Sequence, residues 1–196
     1  MTKKSTGTYV EINCRIWYNH SCDIRVLAVN YILLLLRQAQ KRNLSSGKDC
    51  YMKKIDIYTD GSCKKNPGPG GWAAILVWNG HEKEISGGMA NTTNNRMELT
   101  AVIEALSCLK EKCDVSLTSD SKYVTDGITK GWAKSWKANG WKKSDRSPAL
   151  NPDLWERLLE LCSRHNVEFI WVKGHAGHPY NERCDAMAQA QAEKYI

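Results

Sequence analysis

Strand spacing constrains this chain more than any other feature. Three strand-like runs at about 54–60, 71–78 and 83–88 are joined by turn-length gaps that suit antiparallel hairpins. After them comes the run Val115-Ser116-Leu117-Thr118-Ser119-Asp120, and later a further strand, each separated from the strand before it by helical pattern over 94–111, 121–128, 131–138 and 152–165. A last helix is expected over 180–193. A helix placed between two strands of one sheet demands a parallel crossover. One mixed five-stranded α/β sheet with helices on its faces satisfies both kinds of connection. Gly87-Gly88 reads as a turn or bulge.

Four acids stand out against this pattern. Asp60 ends the first run just before Gly61-Ser62, and Asp120 ends the run at 115–120. Strand ends of this kind are where α/β sheets place ligands. Glu98 lies beside the apolar stripe of Leu99, Val102, Ile103 and Leu106, which predicts partial shielding. Asp185 shares its helix with Ala188 and Ala192, small side chains that allow close approach to a sheet. Each acid also has an ordinary reading: Asp60 and Asp120 as turn formers, Glu98 as a partner of a helix dipole, Asp185 as solvated surface. Carboxylates that converge repel one another unless hard divalent cations hold them.

The words around the acids decide between these readings. Thr59-Asp60-Gly61-Ser62-Cys63 is followed by Asn66-Pro67-Gly68-Pro69-Gly70-Gly71, then by Thr92-Thr93-Asn94-Asn95-Arg96-Met97-Glu98-Leu99 and Thr118-Ser119-Asp120-Ser121-Lys122-Tyr123-Val124. Trp171-Val172-Lys173-Gly174-His175-Ala176-Gly177-His178-Pro179 and Asn181-Glu182-Arg183-Cys184-Asp185 close the series. In order and spacing, from about Met52 to the C-terminus, the chain resembles cellular type 1 ribonuclease H.

The resemblance implies a ribonuclease H-like fold and hydrolysis of the RNA strand of RNA/DNA hybrids, with 5′-phosphate and 3′-hydroxyl products. It also implies that Asp60, Glu98, Asp120 and Asp185 hold two Mg²⁺ ions, with Mn²⁺ as a possible substitute. All-oxygen ligation suits these ions rather than zinc. Asp60 would bridge both ions, Glu98 and Asp120 would serve one, and Asp185 the other. His175 lies in a glycine-flanked loop and can carry a proton near neutrality, though a solvated loop histidine is its plainer reading. His178 reads as structural or capping. By the same resemblance Asn66, Asn94 and Asn95 line a minor groove, and Thr93 belongs to a pocket for a DNA-strand phosphate.

Net charge is weak evidence of partner here. The chain carries a formal charge of +7, from 28 Lys and Arg against 21 Asp and Glu. Residues 1–51 hold 8 of the bases and 3 of the acids, so the remainder is nearly balanced, 20 against 18. Local pattern says more. Lys122, Lys134, Lys137, Lys142 and Lys143 lie in one stretch with Trp132, Trp136 and Trp141. Lysines can flank phosphates and indole rings can contact sugars; a tryptophan-stabilised pair of helices with a solvated basic face is the plainer alternative. In the resembled family this stretch is a basic protrusion that grips the DNA strand.

The five histidines and eight cysteines form no Cys-x-x-Cys pair and no tight cluster, so zinc and a disulfide scaffold are both disfavoured. Reduced thiols fit a cytoplasmic protein. We expect a monomer with no obligate protein partner. Residues 1–51 differ in character, with an apolar run over 26–36 that is too short to cross a bilayer comfortably. They read as a targeting or partner-binding arm, a small helical appendage, or a stretch outside the working protein; 52–196 reads as the ribonuclease H domain. No membrane association is expected of that domain. Two other functions stay in view: a hybrid-binding module without activity, and a DNA nuclease of the same superfamily.

Overall fold

The computed structural model describes residues 52–196, and the expectations placed on residues 1–51 lie outside it. Five strands form one sheet: β1 (Lys53–Cys63), β2 (Gly68–Trp78), β3 (His81–Thr92), β4 (Cys113–Ser119) and β5 (Asn166–Trp171). Their order is β3-β2-β1-β4-β5. The first three pair antiparallel, whereas β4 runs parallel to β1 and β5 parallel to β4. The helices are α1 (Asn94–Ser107), α2 (Lys122–Thr129), α3 (Trp132–Ala138), α4 (Pro152–Arg164) and α5 (Pro179–Glu193). The mixed sheet deduced from connection lengths is therefore present.

Strand periodicity divides the core between two faces, because alternate side chains point to opposite sides. Ile55, Ile57, Ala74, Leu76, Val115 and Leu117 meet Leu99, Val102 and Leu106 of α1 and Trp155, Leu158 and Leu161 of α4. On the other face Ala73 and Ile75 meet Cys184 and Ala188 of α5. Each large aliphatic side chain buried in this way contributes about 1.5–3 kcal/mol. Glycine lets α5 approach. A Cβ at Gly71 would stand 2.1 Å from the Ala188 carbonyl oxygen and 2.6 Å from Ala192 N. With no side chain there, the backbone of α5 rests almost directly on β2.

Several boundaries differ from expectation: β2 begins at Gly68 and β3 spans His81–Thr92, both longer than the runs at 71–78 and 83–88. Asp60 does not end β1: the strand continues to Cys63, and Gly61 and Ser62 pair with Trp72 and Gly71 instead of turning. Gly87 and Gly88 do not turn but lie inside β3, paired with Trp72 and Gly71; glycine is needed there because a Cβ at Gly87 would meet the Trp72 indole at 2.9 Å and one at Gly88 the Tyr195 ring at 2.7 Å. The register shift falls instead between Gly68 and Gly70. Helix α1 stops at Ser107, not near 111: Cys108 N donates to the Ala105 carbonyl, a tightened last turn, and after core-packed Leu109 the charged Lys110-Glu111-Lys112 lead to buried Cys113.

Candidate active site

The register of β1 against β4 sets the first two carboxylates side by side. Thr59 pairs with Ser119, so Asp60 within β1 and Asp120 just past the end of β4 stand at one level. Helix α1 begins where β3 ends, with Thr93 as its N-cap accepting from Arg96 N at 3.4 Å. Its first turns lie over Gly61, where a Cβ would come within 2.3 Å of Glu98 N. That close approach brings Glu98 down onto β1. Oxygens of Asp60, Glu98 and Asp120 all fall within 4.8 Å of one another.

Burial makes this arrangement electrostatically expensive. Asp60 and Glu98 are each 5% exposed. Desolvation first, and then the charges of Asp120 and Asp185, push the Asp60 carboxyl up to about 8. Desolvation followed by the charges of Asp60 and Asp120 raises Glu98 well above its usual range. Compensation within the chain is thin. Gly61 N donates to Asp60 Oδ1 at 2.8 Å, and Asn94 Nδ2 to Glu98 Oε1 at 3.4 Å. Glu98 Oε2 is buried with no hydrogen-bond partner among the described residues. An orphaned carboxylate oxygen beside two further acids fits a hard cation, and the donor set is oxygen throughout.

Asp185 comes from α5 and is less enclosed. It stands near enough to Asp60 to raise that carboxyl, while Gln189 Nε2 donates to its Oδ1 at 2.7 Å. His175 Nδ1 is 3.8 Å from Asp185 Oδ2, and its side chain is 79% exposed in the loop between β5 and α5. The imidazole is therefore open to solvent beside the carboxylate of Asp185. His178 caps nothing with its side chain; its ring packs 5.3 Å from Tyr58.

The remaining predicted residues surround this centre. Asn66 Oδ1 accepts from Asn94 N at 3.1 Å, which joins two of the three asparagines, and half-buried Asn95 follows on α1. Lys122 opens α2, its ammonium 4.6 Å from the centre of the Trp171 ring. On α3, Trp132 is 40% exposed, whereas Trp136 turns inward to meet Trp155 edge-on at 5.9 Å. Trp141 also packs against the core. Lys134 is exposed, Lys137 pairs with Glu156 at 3.1 Å, and Lys142 and Lys143 sit in the loop that follows.

Two supports escaped the sequence reading. Asn181 is 2% exposed and donates from Nδ2 to Asp120 Oδ2 at 3.1 Å; an amide four residues before Asp185, on a helix opened by a proline, was the available signal. Gly174 crowds the same oxygen, since a Cβ there would lie 2.6 Å away. Further from the centre, Arg96 and Asn151 form a polar junction with Asp153.

Known proteins resemble this chain in sequence and fold. The ribonuclease H family profile matches residues 52–193. Ribonuclease H of Desulforamulus reducens is 58% identical over 151 residues, covering 77% of this chain and 95% of its own length. That of Rippkaea orientalis is 60% identical over 136 residues, covering 69% of this chain and 83% of its own. Among solved structures, LC9-RNase H1, a type 1 RNase H with the type 2 active-site motif, superposes with a TM-score of 0.67 at 31% identity, over 76% of each chain. LC11-RNase H1 in complex with RNA/DNA hybrid shares the fold with a TM-score of 0.56 at 22% identity, over 71% of this chain and 97% of that one. With most of the described chain matched by the family profile and by relatives of this identity, the chain belongs to the ribonuclease H family.

Proposed function

We propose that this chain is an endonuclease that hydrolyses the RNA strand of RNA/DNA hybrids, working in the cytoplasm as a monomer. The observation that carries the reading is the meeting of Asp60, Glu98 and Asp120 within 4.8 Å, two of them buried and held above their ordinary pKa. Asp60, Glu98, Asp120 and Asp185 would hold two Mg²⁺ ions, or Mn²⁺ in their place. When bound, such ions supply an activated water and neutralise charge on the departing 3′ oxygen, giving 5′-phosphate and 3′-hydroxyl ends.

The chain's own groups do the rest. Asp60 is fixed by a strand paired on both sides, and regular elements hold ligands more tightly than loops. Asn181 and Asn94 orient Asp120 and Glu98 through their amides. His175, exposed beside Asp185, moves a proton at the imidazole as the phosphate departs. Asn66, Asn94 and Asn95 read the groove, where 2′-hydroxyls distinguish RNA from DNA, and Thr93 contacts a phosphate of the DNA strand. Lys122, Lys134, Lys137, Lys142 and Lys143 with Trp132 grip backbone along the second strand, while Trp136 and Trp141 stiffen that grip from beneath. The kinship with LC11-RNase H1, solved with a hybrid, supports the same substrate.

One assay tests the reading. Purified protein with Mg²⁺ is expected to cut the RNA strand of a hybrid internally and to leave single-stranded RNA and duplex DNA largely intact. Equal cutting of duplex DNA would favour a DNA nuclease, and hybrid binding without cutting would favour an inactive module.

A further inference from the structure

Arg96 joins elements that the catalytic reading treats separately. It lies in the first turn of α1, between Asn95 and Glu98. Its guanidinium donates to both carboxylate oxygens of Asp153, from Nη1 to Oδ1 at 3.1 Å and from Nη2 to Oδ2 at 2.8 Å, and from Nη1 to Asn151 Oδ1 at 3.3 Å. Asn151 immediately precedes α4 and is held at φ 56°, a left-handed conformation that asparagine tolerates. Asn151 Nδ2 donates onward to the Tyr123 hydroxyl at 3.3 Å, and that hydroxyl also accepts from Trp155 Nε1 at 2.9 Å. Tyr123 stands on α2, three residues after Asp120, and Trp155 carries Trp136 of α3 on its edge. The Arg96 guanidinium thus sits at a node that touches the helix of Glu98, the segment leaving Asp120 and the foundation of the basic tryptophan-bearing insertion.

We infer that Arg96 is a positioning residue: its two-pronged bond to Asp153 fixes the distance and angle between the carboxylate centre and the substrate grip on α3. The inference rests on the proposed hybrid-cutting activity. A fork of two parallel charge-assisted bonds sets orientation as well as separation, which a lysine at the same position cannot do. Arg96 holds the Asp153 carboxyl below its ordinary range, as a persistent pair should. Neither residue is one of the clustered carboxylates, so losing the bond leaves the chemistry in place and misaligns the grip. A substrate that spans both regions then binds in poor register.

The test compares two hybrids under Mg²⁺: one too short to extend from the carboxylates to Trp132, and one that reaches beyond it. Arg96→Lys and Asp153→Asn are each expected to raise KM for the long hybrid by about threefold or more while changing kcat little, and to leave both constants for the short hybrid near wild type. The double variant should be no worse than the poorer single one, because both remove the same bond. Glu160→Gln, which removes an ion-pair partner of Arg157 and Arg164 on the outer side of α4, serves as the control and should alter neither hybrid. A merely structural role predicts a lower Tm with unchanged KM for both lengths, and that result would overturn the inference, as would an equal rise for short and long hybrids. If the wild type fails to cut hybrid of either length, the proposed activity falls and the inference with it. A wild type that cuts normally beside an Arg96→Lys variant with unaltered KM overturns the inference alone.

Discussion

Asp60 shows how one residue can be both a liability and a tool. Folded, it retains its proton up to about 8, whereas unfolded it releases it near 3.8. The folded state therefore binds more protons between those values. Stability associated with the neutral acid is fully present below 3.8 and is lost as pH rises through 8. In chelator, Tm is expected to fall as pH climbs across this window, and Asp60→Asn should flatten that slope and stabilise the metal-free protein at pH 8, by on the order of 2 kcal/mol. A Tm that rose with pH over the same interval would contradict the buried site. With Mg²⁺ present the same substitution should abolish nearly all cutting while hybrid affinity changes far less, because it deletes a ligand and leaves the phosphate contacts. His175→Ala should slow turnover by about 10²-fold, within the range for loss of a proton-transfer group. Because its side chain is exposed, Tm should stay unchanged in that variant, and single-turnover rates would separate the two residues.

At the scale of elements, small residues govern how closely helices approach the sheet. Gly71→Ala is expected to lower Tm sharply, because the added methyl meets backbone atoms of α5 at Ala188 and Ala192 that cannot swing aside. The effect should exceed that of an exposed substitution by about 2 kcal/mol or more, and it should also weaken cutting, since α5 carries Asp185. Thermal melts and hybrid cleavage of the same variant check both parts. The elements themselves could be read from periodicity and connection length: the α1 stripe of Leu99, Val102, Ile103 and Leu106 lies in the core as expected. The four acids were readable because each stands inside a distinctive word. What periodicity could not supply was distance. The meeting of Asp60 with Asp120 depends on the parallel register of β1 and β4, and that of Glu98 on the close approach over Gly61, both relations between residues far apart in the chain. The strand running on past Asp60 was hidden because Gly-Ser ordinarily marks a turn, and here ladder pairing with β2 overrides it. The inward packing of Trp136 and Trp141 was hidden because an alternation of lysine and tryptophan looks the same whether the rings face substrate or core.

For the molecule as a whole, charge distribution matters more than total charge. Neutralising Lys134, Lys137, Lys142 and Lys143 together should raise KM for long hybrids and flatten its dependence on salt, because fewer counterions are released on binding. Lys137 is partly committed to Glu156, so its share should be smaller than that of exposed Lys134. A KM measured from low to moderate ionic strength would show an unchanged slope if these lysines only solubilise the chain. A chain beginning at Met52 should fold and cut at essentially full rate, since the sheet, the clustered acids and the residues matched by the family profile all lie beyond that point; comparison of its rate and melt with those of the full chain would test this. No helix among the described residues is long and apolar enough to cross a membrane. Cys184 stands one residue before Asp185, fully buried against the sheet, its thiol pushed up to about 12 by desolvation and by the nearby Asp60 charge. Thiolate is the form that alkylating reagents attack, so this sulfur is silent while α5 stays docked and becomes reactive when the helix lifts. Its labelling rate, followed by mass spectrometry, becomes a built-in clock for how often the ligand-bearing helix opens.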